Sequence, residues 1–135
     1  MRGLARSLTL AAILAAAASA SAAPRERLSG EAELAQRLEG RVAGKPVACV
    51  SLSDIQGSEI IEGVAIVYHL PGNQLLVNRP RGGASSLRED DVLLTKTYGN
   101  QLCAPETVQL LDSISHFPRG FVSLGPFVPY SKVKR

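Results

Sequence analysis

The chain has 135 residues, 20% of them charged, with 15 lysines and arginines against 12 acidic residues for a formal net charge of +3. Aromatic residues make up 4% and tryptophan is absent, which withdraws the stacking platforms that single-stranded nucleic acid binders and sugar-stacking sites use. Much of the basic excess sits in a leader: without Arg2 and Arg6, 13 basic residues face 12 acidic ones, and a net +1 gives no electrostatic reason to expect nucleic acid or an anionic membrane as partner.

Residues 1–22 read as a secretory signal peptide. Arg2 and Arg6 give the basic start, Leu8 to Ala18 the apolar run, and Ala20-Ser21-Ala22 the small-x-small pattern a signal peptidase cuts. The run is far shorter than the roughly 20 residues a membrane span needs, and no later segment approaches that length, so the expectation is an exported protein without an anchor, periplasmic or extracellular. Cleavage after residue 22 of 135 leaves 113 residues, 23–135, which fit one small domain.

A short charged stretch, Pro24 to Leu28, leads to a predicted helix. Ser29 is its N-cap, Glu31 and Glu33 suit the positive end of the helix dipole, Leu34 and Leu38 form one narrow apolar stripe, and Gly40 closes it. After Gly44-Lys45-Pro46 the chain turns to short β-prone runs separated by turn residues. Val47 to Leu52 is the first. Val64 to His69 and Gln74 to Arg79 flank Leu70-Pro71-Gly72-Asn73, where proline and a positive-φ glycine suit a type II turn, so the pair reads as a hairpin. Ser86-Leu87-Arg88-Glu89 matches a capping box and predicts a single helical turn. Val92 to Tyr98, Thr107 to Asp112 and Phe121 to Val128 are further strands, the last interrupted by Gly125-Pro126 and so expected at an edge or a bulge. The fold class is α+β: a small strand-rich antiparallel sheet or partial barrel with one N-terminal helix, its strand order and closure left open by the periodicity.

Cys49 and Cys103 are the only cysteines, and in an oxidising compartment such a pair closes a disulfide. Four further constellations fall short of chemistry. Gly40 to Lys45 is one residue short of a phosphate-cradling loop and is followed by Pro46 where a serine or threonine is needed. Gly120 to Gly125 offsets Ser123 by one from a nucleophile elbow, and whether His116 and Asp112 could serve that serine is a matter of geometry. His69, His116 and the two cysteines lack any closely spaced ligand pair, so no metal is expected. Glu89-Asp90-Asp91 lacks the alternating spacing of a calcium loop and reads as a solvated helix end. No motif calls for a cofactor. The loop from Asn78 to Gly83 is the unusual local feature, because Arg79 and Arg81 around Pro80 could present paired donors to a carboxylate or phosphate.

Cys49-x-x-Leu52-x-x-Ile55, Leu102-Cys103-x-x-Glu106-x-Val108 and Gly120-x-x-x-Leu124-Gly125-x-Phe127 together resemble a family of small exported bacterial proteins of unknown function that carry cysteine-based motifs. The likeness spans Pro46 to Tyr130. It implies an exported disulfide-bonded domain and supplies no reaction, ligand or catalytic residue. Many such proteins carry a second cysteine pair near the positions of Ala84 and Val122, which this chain lacks. The functional expectation is a non-enzymatic module that binds a protein or envelope partner; the alternative is an inhibitor that inserts the Arg79 to Gly83 loop into the cleft of a hydrolase.

Overall fold

The computed structural model of the chain describes residues 29–134, so the leader expected at 1–22 and the stretch that follows it lie outside the described residues. The first element is a helix, α1 (Gly30–Arg37), capped as anticipated: Ser29 Oγ accepts from Ala32 N at 3.3 Å. Beyond its end Gly40 takes φ 74°. An eight-residue helix does not stand alone in water, and α1 is held by Leu34, which is fully buried, with Leu38 packed beside it.

Ten strands follow among the described residues: β1 (Arg41–Ala43), β2 (Cys49–Ser51), β3 (Gly57–Ile61), β4 (Ala65–Leu70), β5 (Gln74–Asn78), β6 (Val92–Thr95), β7 (Gln101–Cys103), β8 (Thr107–Leu111), β9 (Pro118–Ser123) and β10 (Phe127–Lys132). All pairings are antiparallel. They form a five-stranded sheet in the order β1-β10-β5-β4-β3, a two-stranded sheet β2-β7 and a three-stranded sheet β6-β8-β9, with no closure into a barrel.

The large sheet is the middle layer, and alternation along its strands feeds two cores. On one face Ile61, Ala65, Val67, Leu75 and Val77 pack beneath Leu34 of α1. On the other, Ile60, Ile66, Tyr68, Leu76 and Phe127 meet Val50 and Leu102 of the two-stranded sheet and Val108, Leu110 and Val122 of the three-stranded one. The β4-β5 hairpin is therefore covered on both sides, which is why Ala65 to Tyr68 and Leu75 to Val77 read as unbroken apolar runs. Its turn forms where expected, with Gly72 at φ 75° and Asn73 also left-handed at φ 60°, between the paired residues Leu70 and Gln74.

The structure corrects several boundaries. The stretch from Phe121 to Val128 is not one strand: Gly125-Pro126 ends β9 and the chain crosses to the other sheet as β10, which lies inside that sheet between β1 and β5. Pro129 is tolerated in this interior strand because its carbonyl, and so its nitrogen, faces Gly44 just past the end of β1, where the carbonyl accepts from Gly44 N at 2.7 Å and no strand needs an amide from residue 129. The helical turn sits at Ala84–Ser86, ahead of Ser86 instead of after it. β1, β3 and β7 were not anticipated at all.

Cys49 and Cys103 are disulfide-bonded, as expected. Their residues are direct partners in the β2-β7 ladder, and the flanking bonds Ala104 N to Ala48 O and Leu52 N to Asn100 O, each 2.8 Å, identify the pair as a non-hydrogen-bonded one, the site where opposed side chains approach most closely. The amide of Cys103 consequently points away from β2 and donates to the Glu106 carboxylate. Reduction of the disulfide should lower stability by about 4 kcal/mol, the loop-closure value for a 54-residue separation, and drop the thermal midpoint by tens of degrees; calorimetry with and without reductant reads this directly.

Tyr68 is packed against Phe127, ring centroids 5.9 Å apart, with its hydroxyl buried and unbonded among the described residues. Burial pushes the phenol well above its ordinary value. The neutral form is thus the one the fold accepts: stability is unaffected below about pH 10, where the unfolded phenol begins to ionise, and falls as pH rises beyond it. Tyr68→Phe should abolish that alkaline loss in urea titrations and be neutral or stabilising by about 1 kcal/mol at pH 7, since it removes an unsatisfied hydroxyl.

Candidate interaction surface

The loop after β5 is fixed at both ends. Asn78, fully buried, clamps the opposite segment: its Nδ2 donates to Gly125 O at 2.7 Å and its Oδ1 accepts from Gly125 N at 3.0 Å. The approach is so close that a Cβ on Gly125 would stand 2.3 Å from Arg79 O, so only glycine fits there. At the far end Arg81 N donates to Ser123 O (2.8 Å) and Ser123 N to Gly82 O (3.0 Å), bridging the loop to β9. Gly83 lies against Phe121 O and Val122, at φ 81°.

The two arginines singled out in this loop have different fates. Arg79 forms a bidentate pair with Glu31 of α1, at 2.7 and 3.1 Å, which holds the Glu31 carboxyl below and the Arg79 guanidinium above their ordinary values. It pins the helix to the sheet and is not a spare donor. Arg81 is exposed, and its guanidinium has no hydrogen bond or ion pair among the described residues. The paired-donor arrangement is therefore not assembled; one arginine is presented.

The other constellations are taken apart by the fold. Ser123 Oγ donates to Pro105 O, near one end of β8, whereas Asp112 follows the other end, about 17 Å away at the rise of a strand. Asp112 Oδ1 accepts from Ile114 N, Ser115 N and Ser115 Oγ, a turn that lowers its carboxyl's affinity for a proton. His116 is an exposed left-handed turn residue, and His69 lies 3.9 Å from Glu59 on β3. Gly40 to Lys45 contains β1. Of Glu89-Asp90-Asp91 only the first two are solvated. Asp91 is 2% exposed in its side chain and binds Arg119 through two contacts, one of them Nε to Oδ1 at 2.9 Å.

What the sequence did not disclose is the outer face of the β6-β8-β9 sheet. Leu94 pairs with Gln109 and Gln109 with Phe121, so the three side chains form one row; Val92 and Leu111 form the next. Phe121 is 67% exposed, Val92 42% and Leu94 37%. Leu94, Lys96, Thr107, Gln109 and Phe121 line a groove of about 260 Å³, and Phe117, also exposed, stands in the turn leading to β9. Exposed large apolar side chains grouped with polar neighbours are the composition of a protein-binding patch. The signal lay in strand phase: Val92-Leu93-Leu94 is apolar throughout, so alternation could not be read from it. A second groove, also about 260 Å³, lies on the helix side of the large sheet among Pro46, Val77, Arg79, Pro126, Val128 and Tyr130.

Among the described residues no helix is long and apolar enough to cross a membrane. No protein-family model matches the chain, no curated protein matches it, and no solved structure does. The clamp on the Arg79 to Gly83 loop is open to direct test: Asn78→Ala leaves both Gly125 main-chain groups without their partner and should lower the urea-unfolding free energy by about 2 kcal/mol.

Proposed function

We propose that this chain is an exported, disulfide-stapled binding domain without a catalytic role, which recognises a protein or envelope partner through the outer face of β6-β8-β9. The observation that carries the reading is the exposed row Leu94, Gln109, Phe121, in which two large apolar side chains flank a glutamine beside Lys96 and Thr107. Burying an aromatic anchor of this kind is the usual source of affinity at a protein interface. Export is supported by the basic, apolar and small-residue order of residues 1–22, and a closed disulfide is compatible with it. The absence of a catalytic role is supported by the separation of Ser123 from Asp112 and by the joining of the two cysteines to each other.

A second reading, inhibition of a hydrolase by the Arg79 to Gly83 loop, is favoured by one observation. The loop is held in place by Asn78, the Glu31 pair and the Gly82–Ser123 bridge, with Arg81 left facing solvent, so it would lose little freedom on insertion into a cleft.

Crosslinking of the exported protein in cells of its source, followed by affinity capture, separates the two. Wild type and Arg81→Ala should recover the same partner, while Leu94→Ser with Phe121→Ser should lose it by more than about tenfold with an unchanged thermal midpoint. The reverse pattern selects the loop, and a partner retained by both variants refutes both readings.

A further inference from the structure

Of the strands that end a sheet among the described residues, β6 is the least defended. β1, β2 and β7 have only three residues each, β3 carries Glu59, and the outer side of β9 is bridged by Gly82. β6 contains neither proline nor charge.

The direction of its open amides follows from its neighbours. The bond from Leu124 N to Glu106 O, 2.9 Å, flanks the Thr107–Ser123 pair and marks it as non-hydrogen-bonded, so Thr107, Gln109 and Leu111 aim their main-chain groups at β6. Gln109 and Leu111 face Leu94 and Val92. The main-chain groups of Leu93 and Thr95 therefore point outward, and none of them is bonded elsewhere among the described residues.

The sequence along that edge is its own antiparallel complement. Asp90, Val92, Leu94 and Lys96 are all exposed and alternate with Asp91, Leu93 and Thr95. About a two-fold axis at Leu93, Val92 of one copy meets Leu94 of the other, and Asp90 meets Lys96, each twice. A slip by one residue in either direction would set outward-facing residues against inward-facing ones, and a slip by two would set Lys96 against Val92 or Arg88.

We propose that two copies of this chain pair antiparallel through β6, edge to edge, in the register that opposes Asp90 of each copy to Lys96 of the other. Leu93 exchanges two main-chain bonds with its counterpart, and Thr95 N of each copy donates to the Asp91 carbonyl of the other. Asp91 N already donates to Arg88 O at 3.1 Å and takes no part. Two three-stranded sheets become one of six strands, and the two Leu94–Phe121 grooves come onto a single face. The pairing uses the strand edge and leaves that face open, so it stands or falls independently of any partner bound there.

Sedimentation equilibrium of the oxidised chain over micromolar to submillimolar concentrations tests this. Wild type should show a concentration-dependent dimer; Lys96→Asp and Asp90→Lys should each weaken it by about tenfold, since each opposes like charges twice, and the variant carrying both exchanges should restore it. Thr95→Pro, which removes only an outward amide, should give a monomer with the disulfide intact. A chain that stays monomeric at every concentration, or a dimer that tolerates Lys96→Asp and Thr95→Pro alike, overturns the proposal.

Discussion

The cross-strand disulfide is the constraint on which the second layer depends. β2 and β7 are three residues each, too short to hold one another by ladder bonds alone, yet Val50 and Leu102 beside the cysteines are part of the main core. Joining Cys49 to Cys103 fixes the one register in which both side chains point at Tyr68, Leu76 and Phe127. It also fixes where β8 begins, since Glu106, whose carboxylate takes the Cys103 amide, directly precedes it. Covalent closure in one small sheet thus sets the lid over the larger one.

Beneath that lid the sheet is organised around a hairpin with no solvent-facing side. α1 covers one face through little more than Leu34, and Glu31 ties the helix start to Arg79 across the sheet. This explains why a residue that looked like a ligand donor is occupied: an eight-residue helix with one deeply buried side chain gains orientation from a bidentate ion pair that the sequence, read locally, could not connect over 48 positions.

Legibility in the sequence followed the range of the interactions. Ser29 as cap, Pro71-Gly72 as turn and the β4-β5 hairpin are settled by neighbours within a few residues, and all three were readable. β1 and β7 owe their existence to partners 87 to 91 and 50 to 54 positions away, and three-residue strands such as Gln101 to Cys103 carry no periodicity to find. Gly125-Pro126 was seen as a disturbance, but that it transfers the chain from one sheet to another depends on Asn78, which grips Gly125 from β5. The candidate surface was hidden for a related reason. Nothing in Val92-Leu93-Leu94 says which residues face out.

That phase is set from a distance by Arg119. Leu110 pairs with Gly120 and Leu111 with Pro118, so Arg119 is the extra residue of a bulge in β9, turned out of the ladder to meet Asp91. With Asp91 drawn inward, parity sends Leu93 to the core and leaves Val92 and Leu94 outside. The opposite phase would hide Val92 and Leu94, but it would also turn Asp90 and Lys96 inward, expose Leu93 and take Asp91 from Arg119. The phase that keeps Asp90 and Lys96 in water and seats Asp91 on the bulged arginine therefore leaves Val92, Leu94 and Phe121 in solvent as well, and the proposed partner recognition rests on that exposed apolar surface.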